Sequence, residues 1–233
     1  MTRIGLTLAR VGLALVLYAL GAVVLGLASF PAVLWCVKVW GAAAAAPLAG
    51  RILAVSVAAG FGYFLFGFSL MFLTVLLRWL LCLNLKEGEH PLDSPEALKW
   101  FVSNALQLLV WTLFGNFLLL TPFASLYYRL MGAKLGLNVQ INSAYCADLQ
   151  LLEIGDNSVI GGHATVIAHS VERQGLILKK VRIGRNVVVG LNSVVLPGVE
   201  IGEGAVIAAG AIVPKYTQIP AKSFYGIRDA GSR

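Results

Sequence analysis

Aliphatic residues recur every six positions through the second half of this chain of 233 residues, at Ile183, Val189, Val195, Ile201, Ile207, Val213 and Ile219. A glycine or another small or turn-forming residue often follows, as at Gly184, Gly190, Gly202, Ala208 and Pro214. A mostly small residue stands four places on, at Val187, Ser193, Val199, Ala205, Ala211 and Thr217. The same register runs upstream through Leu135, Ile141 and Ala147, slips by one residue, and resumes at Ile154, Ile160 and Val166. A period of six fits neither a helix of 3.6 residues per turn nor a simple alternating strand. It fits a triangular coil of three short strands and three turns, with an aliphatic side chain filling the interior at each corner. Three hexapeptides make a circuit of about 18 residues, so residues 135–220 predict about four to five circuits. Each circuit buries its aliphatics only by stacking on its neighbours.

The register breaks between Val166 and Ile183, at AHSVERQGLILKKVR, and is regained at Ile177. The segment His169–Leu176 is therefore predicted to leave the coil as a loop. Loops that protrude from a rigid scaffold tend to carry function.

The first half needs a different solvent. The chain is 58% hydrophobic and only 12% charged, against roughly 25% charged in soluble domains, and the apolar excess lies almost wholly before about residue 130. Residues 11–37 and 52–77 each exceed the roughly 20 apolar residues that a span requires. The first run is longer than the apolar core of about 7–15 residues in a cleaved signal peptide, so a retained helix is expected. In the second, Gly60, Gly62 and Gly67 allow close helix approach. Residues 84–99 hold Pro91 and Pro95 and read as a loop, with Asp93 or Ser94 capping a following helix. The apolar run from Trp100 to about Leu120 carries Asn104, Gln107, Trp111 and Asn116; spanning and interfacial placements both stay open for it. Residues 123–134 read as a short amphipathic connector. The expected domains are thus a membrane region, 1–131, and a coil domain, 132–233.

Net charge is +7. The basic residues are scattered and flank the apolar runs, at Arg3, Arg10, Arg78, Lys86, Lys99, Arg129 and Lys134, which argues for anionic lipid and topology signals rather than nucleic acid. For a two-span hairpin, Arg3, Arg10, Arg78 and Lys86 outnumber Lys38 and Arg51, which places the termini on the cytoplasmic side of a bacterial-type inner membrane. A third span would put the coil domain outside. Cys36, Cys82 and Cys146 show no CxxC spacing, so neither zinc nor a redox pair is indicated, and buried thiols are expected.

The stretch IGDNSVIGGHATVIAHSVERQGLILKKVRIGRNVVVGLNSVVLPGVEIGEGAVIAAGAIVPK resembles the hexapeptide-repeat acyltransferases, whose fold is a left-handed parallel β-helix. In sugar O-acetyltransferases of that family a histidine opens a loop leaving the helix, and His169 stands at that position, followed by KKVRIG and VLPGVEIGEGAVIAAGAIVPK. The apolar half, through EGEHPLDSPEALKWF and TPFASLYYRLMGAKLG, is similar to the C-terminal membrane repeats of poly-lysine synthetases, which place paired transmembrane helices before each cytoplasmic module. The resemblance implies a homotrimer with acyl-CoA, acetyl-CoA being the expected form, bound between subunits. It implies donor contacts near Gly190 and Ala208, with Lys215, Lys222 and Arg228 meeting the CoA phosphates; these cations read equally well as solvated charges. The family's G-N-P-A stretch is replaced here by Tyr225–Ala230.

Acyl transfer from a thioester needs a base for the attacking hydroxyl or amine, and histidine, with an unperturbed pKa near 6.5, suits that task. Turn N–H groups can serve the oxyanion. His169 is the expected base, His163 a second site residue or substrate contact, and His90 a remoter candidate; Glu172 and Glu153 are candidates to orient the imidazole. The zinc carbonic anhydrases of the same fold use three histidines, and no third histidine lies among these coils, so no metal is expected. The expected acceptor is lipid-linked or membrane-delivered, held near Tyr127–Lys134. The rival expectation is a non-catalytic trimeric membrane scaffold, since fold does not settle function; acyl-CoA binding separates the two.

Overall fold

The structure, a computed structural model, describes residues 3–173 and 175–226. Contacts divide the chain into two units, residues 1–76 and 77–233. The first is helical. Helix α1 (Arg3–Ala42) and helix α2 (Leu48–Leu80) are joined by a short turn, and Ala14–Ala42 and Leu48–Leu80 are each long and apolar enough to cross a membrane. Gly62 meets Ala32 and Cys36 at ordinary van der Waals distance, the close approach that a helix hairpin in lipid uses. Leu15, Phe30, Leu53, Phe61 and Phe72 on these helices stay exposed.

The second unit begins with strand β1 (Gly88–His90), helix α3 (Pro95–Leu113) and helix α4 (Pro122–Leu130). Ser94 caps α3, its hydroxyl accepting from the Ala97 N–H, and Pro95 opens the first turn, where its missing N–H costs nothing. The coil follows. Its first circuits contain β2 (Lys134–Leu135), β3 (Gln140–Ile141), β4 (Leu152–Ile154), β5 (Val159–Ile160) and β6 (Thr165–Val166). A hairpin then interrupts it, made of β7 (His169–Glu172) and β8 (Gly175–Leu178). The coil resumes with β9 (Val181–Ile183), β10 (Val188–Val189), β11 (Val194–Val195) and β12 (Glu200–Ile201). It continues through β13 (Val206–Ile207), β14 (Ile212–Val213), β15 (Gln218–Ile219) and β16 (Phe224–Tyr225).

These strands form three parallel sheets visited in rotation, ordered β16-β13-β10-β5-β3, β14-β11-β6 and β15-β12-β9-β4-β2. An aliphatic residue closing these strands points inward: Ile160, Val166, Val189, Val195, Ile207 and Val213 are essentially inaccessible, each stabilising the stack by about 1.5–3 kcal/mol. The residue just before it points outward. On one sheet these outward residues form a charge ladder of Lys134, Glu153, Arg182 and Glu200; on another they are Val188, Val206 and Phe224, all exposed. Each circuit turns at a residue with positive φ: Asn138, Asn157, Asn186, Gly204 and Lys222 stack at one corner, and His163, Asn192 and Gly210 at the next. Asparagine and glycine tolerate that backbone better than other residues do.

Circuit length shows where the regular repeat is modified. Val189 pairs with Ile207 and Ile201 with Ile219, each 18 residues on. Ile141 pairs with Ile160, 19 residues on, and Val166 with Val195, 29 residues on. The one-residue slip is a 3-10 turn, Leu149–Leu151, entered through Asp148 with φ +57°. The longer insertion is the hairpin, which replaces the loop expected at His169–Leu176. Ile177 lies in that hairpin, paired with Ser170 and Glu89, and does not resume the coil; the register returns at Val181–Ile183.

Two further expectations are corrected. Residues 84–99 are not all loop, because β1 adds to the hairpin as a third antiparallel strand, Gly88 against Leu178 and His90 against Leu176. The compact units divide at Leu76/Leu77 rather than at 131/132. The physical reason is that α3 and α4 belong with the coil: Gln107 donates its side-chain amide to the Cys146 carbonyl, and Tyr128 donates its hydroxyl to the Ser143 carbonyl at 3.2 Å. The run 100–120, left open between span and interface, is thus mostly a helix that buries Ser103, Leu106, Gln107, Val110 and Trp111 within the second unit.

Candidate functional site

The site grows from the two irregularities in the coil. The 3-10 turn places Asp148 at one corner with its side chain fully buried, and the hairpin starts one circuit later with His169. A buried carboxylate needs donors, and N–H groups supply them. Trp100 Nε1 donates to Oδ1 at 2.7 Å and Asn104 Nδ2 to the same oxygen at 3.0 Å. The Ala168 N–H donates to Oδ2 at 2.9 Å, and His169 Nδ1 lies 2.6 Å from that oxygen. Both oxygens thus act as acceptors, so the imidazole carries a proton on Nδ1, and in its neutral form Nε2 is bare. The Trp100 ring lies 4.9 Å from the His169 ring, centroid to centroid, tilted by 59°. His169 is about three-quarters buried. The arrangement is an imidazole held against a buried carboxylate, which is itself held by α3.

The chain around this corner is stitched down. Gln150 donates to the Leu83 carbonyl at 2.7 Å and accepts from the Leu85 N–H at 2.8 Å. Glu87 accepts from the Lys180 N–H at 3.0 Å. Lys179 N–H donates to the Ala168 carbonyl at 2.8 Å and closes the base of the hairpin. At Gly175, with φ +138°, a side chain would strike the His90 carbonyl, so glycine lets β1 lie against β8.

The remaining expected site residues fall elsewhere. His163 is exposed in a positive-φ turn at the other end of β6, its ring 6.0 Å from that of Tyr145; it does not join Asp148. His90 Nε2 lies 3.1 Å from the Lys86 carbonyl. Neither expected orienting glutamate faces His169. Glu172 pairs with Lys215, which with Ser170 holds its carboxyl below the usual range. Burial works to raise the Glu153 carboxyl, but Lys134 and Lys180 outweigh it and hold it below the usual range. Lys215 therefore ties a late circuit to the hairpin through Ser170 and Glu172. Gly190 and Ala208 stack at one corner, one circuit apart, and their N–H groups are already donated to Ile207 and Tyr225. A side chain at Gly190 would meet the backbone of Ala208 and Ala209, a packing reason for that glycine. Arg228 lies outside the described residues, as does the stretch that follows Gly226. Among the described residues no group of three His, Cys, Asp or Glu side chains is placed to hold a metal ion.

Sequence reasoning missed Asp148, Trp100 and Asn104. The signal for Asp148 was the one-residue slip between Ala147 and Ile154, which marks an altered corner. Trp100 and Asn104 carried no such mark, because their role depends on α3 folding back onto the coil.

Cys146 neighbours Asp148 but is no nucleophile. Burial pushes its thiol up to about 12, although a hydrogen bond with Tyr128 works the other way, and the thiolate is the reactive form. Cys82 is exposed, contrary to the expectation of three buried thiols. Brief iodoacetamide treatment of the native protein at pH 8 should therefore alkylate Cys82 and spare Cys146 until denaturant is added. Peptide mass spectrometry reads this directly; early labelling of Cys146 would mean that this corner opens readily.

A cleft of about 450 Å³ borders the site, lined by Trp100, Phe101, Asn104, Leu108, Trp111 and Tyr145 among others. A larger hollow of about 820 Å³ runs along the charge ladder and takes in Glu153 but neither His169 nor Asp148.

Residues 180–215 match the family described as hexapeptide repeat of succinyl-transferase. The chain is 31% identical over 153 residues to "Putative acetyltransferase YvoF" of Bacillus subtilis, covering 60% of this chain and 86% of that protein. It is 24% identical over 162 residues to delta-poly-L-ornithine synthetase of Acinetobacter baumannii, covering 68% of this chain but only 12% of that protein. Among solved structures, a hexapeptide-repeat-containing acetyltransferase of Vibrio cholerae, complexed with acetyl coenzyme A, superposes with a TM-score of 0.45 at 20% identity, covering 62% of this chain and 91% of that one.

Proposed function

We propose that this chain, which belongs to the hexapeptide-repeat acyltransferase family, is a membrane-anchored enzyme that moves an acyl group, acetyl in the first instance, from acyl-CoA to a hydroxyl or amine of a membrane-associated acceptor. The observation that carries the reading is His169 Nδ1 resting 2.6 Å from the buried Asp148 carboxylate. With Nδ1 engaged, Nε2 removes the proton from the attacking group, and the oxygen or nitrogen then adds to the thioester carbonyl. The tetrahedral adduct expels the CoA thiolate, which takes a proton, and no covalent enzyme intermediate is needed. No resident metal has a part in this scheme.

The coil reads as a left-handed parallel β-helix, by the family's fold and by the 18-residue circuits. α1 and α2 read as a pair of spans, with α3 remaining on the coil side, so the cationic flanks place the catalytic unit in the bacterial cytoplasm beside its acyl-CoA. Acyl-CoA then lies along the later circuits near Ala208 and Lys215, between copies of the chain. The exposed Val188, Val206 and Phe224 on one sheet favour burial of that face in a homotrimer. The full-length protein in detergent should sediment as three copies and bind acetyl-CoA saturably by calorimetry. The non-catalytic scaffold reading requires the trimer without the binding, and that result would replace the enzyme reading.

A further inference from the structure

The cleft beside His169 has a chemistry of its own. One wall is α3, through Trp100, Phe101, Ala105, Leu108 and Trp111; the other is the coil, through Ala144, Tyr145, Ala147 and Ile167. Its two amide side chains are committed. Gln107 serves the Cys146 carbonyl, and Asn104 serves Asp148 and the Trp100 carbonyl. A polyol or a zwitterion placed there would lose more hydration than these few groups return. The Tyr145 and Thr165 hydroxyls also line it, and a third donor lacks a partner. Trp111 is 6% exposed, and its indole N–H has no hydrogen-bond acceptor among the described residues.

The position of the cleft points to which substrate uses it. His169 does not itself line the cleft, but Trp100 lines it and also touches the His169 ring, so one end of it stops a single side chain short of the candidate base. It runs along Tyr145–Ala147 and Thr165–Ile167, at the β6 edge of the sheet ordered β14-β11-β6. The donor-side candidates Ala208 and Lys215 stand on later circuits than β6, although the Lys215 ammonium reaches back to the hairpin at Ser170 and Glu172. Eleven residues separate Trp100 from Trp111, about 16 Å along a helix axis, the length of an extended alkyl chain rather than of a sugar. Finally, α3 exposes a stripe beside the cleft, with Leu98 at 46%, Phe101 at 49% and Leu108 at 65%. Exposed apolar residues at that spacing suit contact with a lipid surface.

We infer that this cleft is the acceptor seat, and that the acceptor is an amphiphile delivered from the bilayer. Its hydroxyl or amine meets His169 Nε2, its alkyl chain lies between α3 and the coil, and an ester or ether oxygen along the chain accepts from Trp111. The inference rests on the acyltransferase reading and names the substrate class of that same site. It moves the expected acceptor position from Tyr127–Lys134, where Tyr127, Tyr128 and Met131 are buried core, to α3.

The test uses the full chain in phosphatidylcholine vesicles and dodecylamine carrying a terminal diazirine, with labelled peptides mapped after irradiation. Label is expected on residues 101–111 and 144–147, displaced by excess unlabelled dodecylamine and not by glucosamine, and reduced at least tenfold in Ala105→Trp, which fills the cleft. With acetyl-CoA present, Ala105→Trp should raise the KM for dodecylamine at least tenfold more than that for ethanolamine. Label confined to α1 and α2 would overturn the inference, as would label displaced by palmitoyl-CoA rather than by the amine, since the chain in the cleft would then be the donor's. The two readings fail separately: acetylation of ethanolamine without cleft labelling keeps the enzyme and removes the seat, whereas cleft labelling without any acetyl transfer keeps the seat and removes the enzyme.

Discussion

His169→Asn is expected to lower acetyl transfer by about 10²–10⁴-fold, the usual worth of a general base, while the protein stays folded and oligomeric. Asparagine is the informative change because its side-chain amide can still donate to Asp148 in place of Nδ1. Alanine would remove a donor from a buried carboxylate and cost about 1–3 kcal/mol, more than an ordinary surface substitution, which lies within about 0.5 kcal/mol. The control is His163. It occupies the same positive-φ corner as Asn192 and Gly210, so His163→Asn suits the backbone and should alter the rate only slightly. Thiol release from acetyl-CoA measures both. A dead His163 variant beside a fully active His169 variant would reverse the two roles, and unchanged rates in both would remove histidine base catalysis altogether.

How much of this was legible in the sequence varies with the range of the contacts involved. The six-residue register is a local property, and it marked the inward positions Ile183, Val189, Val195, Ile201, Ile207 and Val213, all of which are buried. The same register flagged both irregular corners, as the slip before Ile154 and as the gap after Val166. It marked where the coil changes without saying what fills the change. The hairpin was read as a loop because its partner strand, Gly88–His90, lies some 80 residues earlier, in a segment whose prolines speak for a turn. Its pairing with β8 is set by tertiary context, which overrides local propensity.

The site divides in the same way. His169 was visible because it opens the gap. Its orienting carboxylate was sought nearby in sequence, at Glu172 and Glu153, yet both are claimed by lysines on the coil surface. Asn104 and Gln107 were read as marks of a helix at the membrane interface, because polar residues in an apolar run are rare in lipid. They are instead the groups by which α3 grips the coil, and this is why a boundary drawn by hydropathy at 131/132 separates residues that fold together. A fragment beginning near residue 132 would leave Asp148 without Trp100 and Asn104, so 77–233 is the shorter piece that keeps the corner complete.

Asp148 offers the largest combined effect on rate and stability. Asp148→Ala leaves the Trp100, Asn104 and Ala168 N–H groups without an acceptor inside the protein, a loss on the order of 3–5 kcal/mol. It also puts alanine at φ +57°, which adds about 1–2 kcal/mol. Much of a typical domain's stability of about 5–15 kcal/mol would go, and a thermal melt should show it. Asp148→Asn separates structure from chemistry. Asparagine fits the positive φ and the shape but offers one acceptor oxygen where the carboxylate has two. If that oxygen serves Trp100 and Asn104, the amide NH₂ faces His169, and Nδ1 must then accept rather than donate. The proton moves to Nε2, which can no longer serve as the base. The rate should fall by about 10²–10⁴-fold at a stability cost of about 1–3 kcal/mol. Spectra of protein with ¹⁵N-labelled histidine report the switch independently of turnover, as the bare-nitrogen signal of His169 moves from Nε2 to Nδ1. A variant with the wild-type rate and an unswitched tautomer would make Asp148 a purely structural hub and leave His169 to act without an orienting partner.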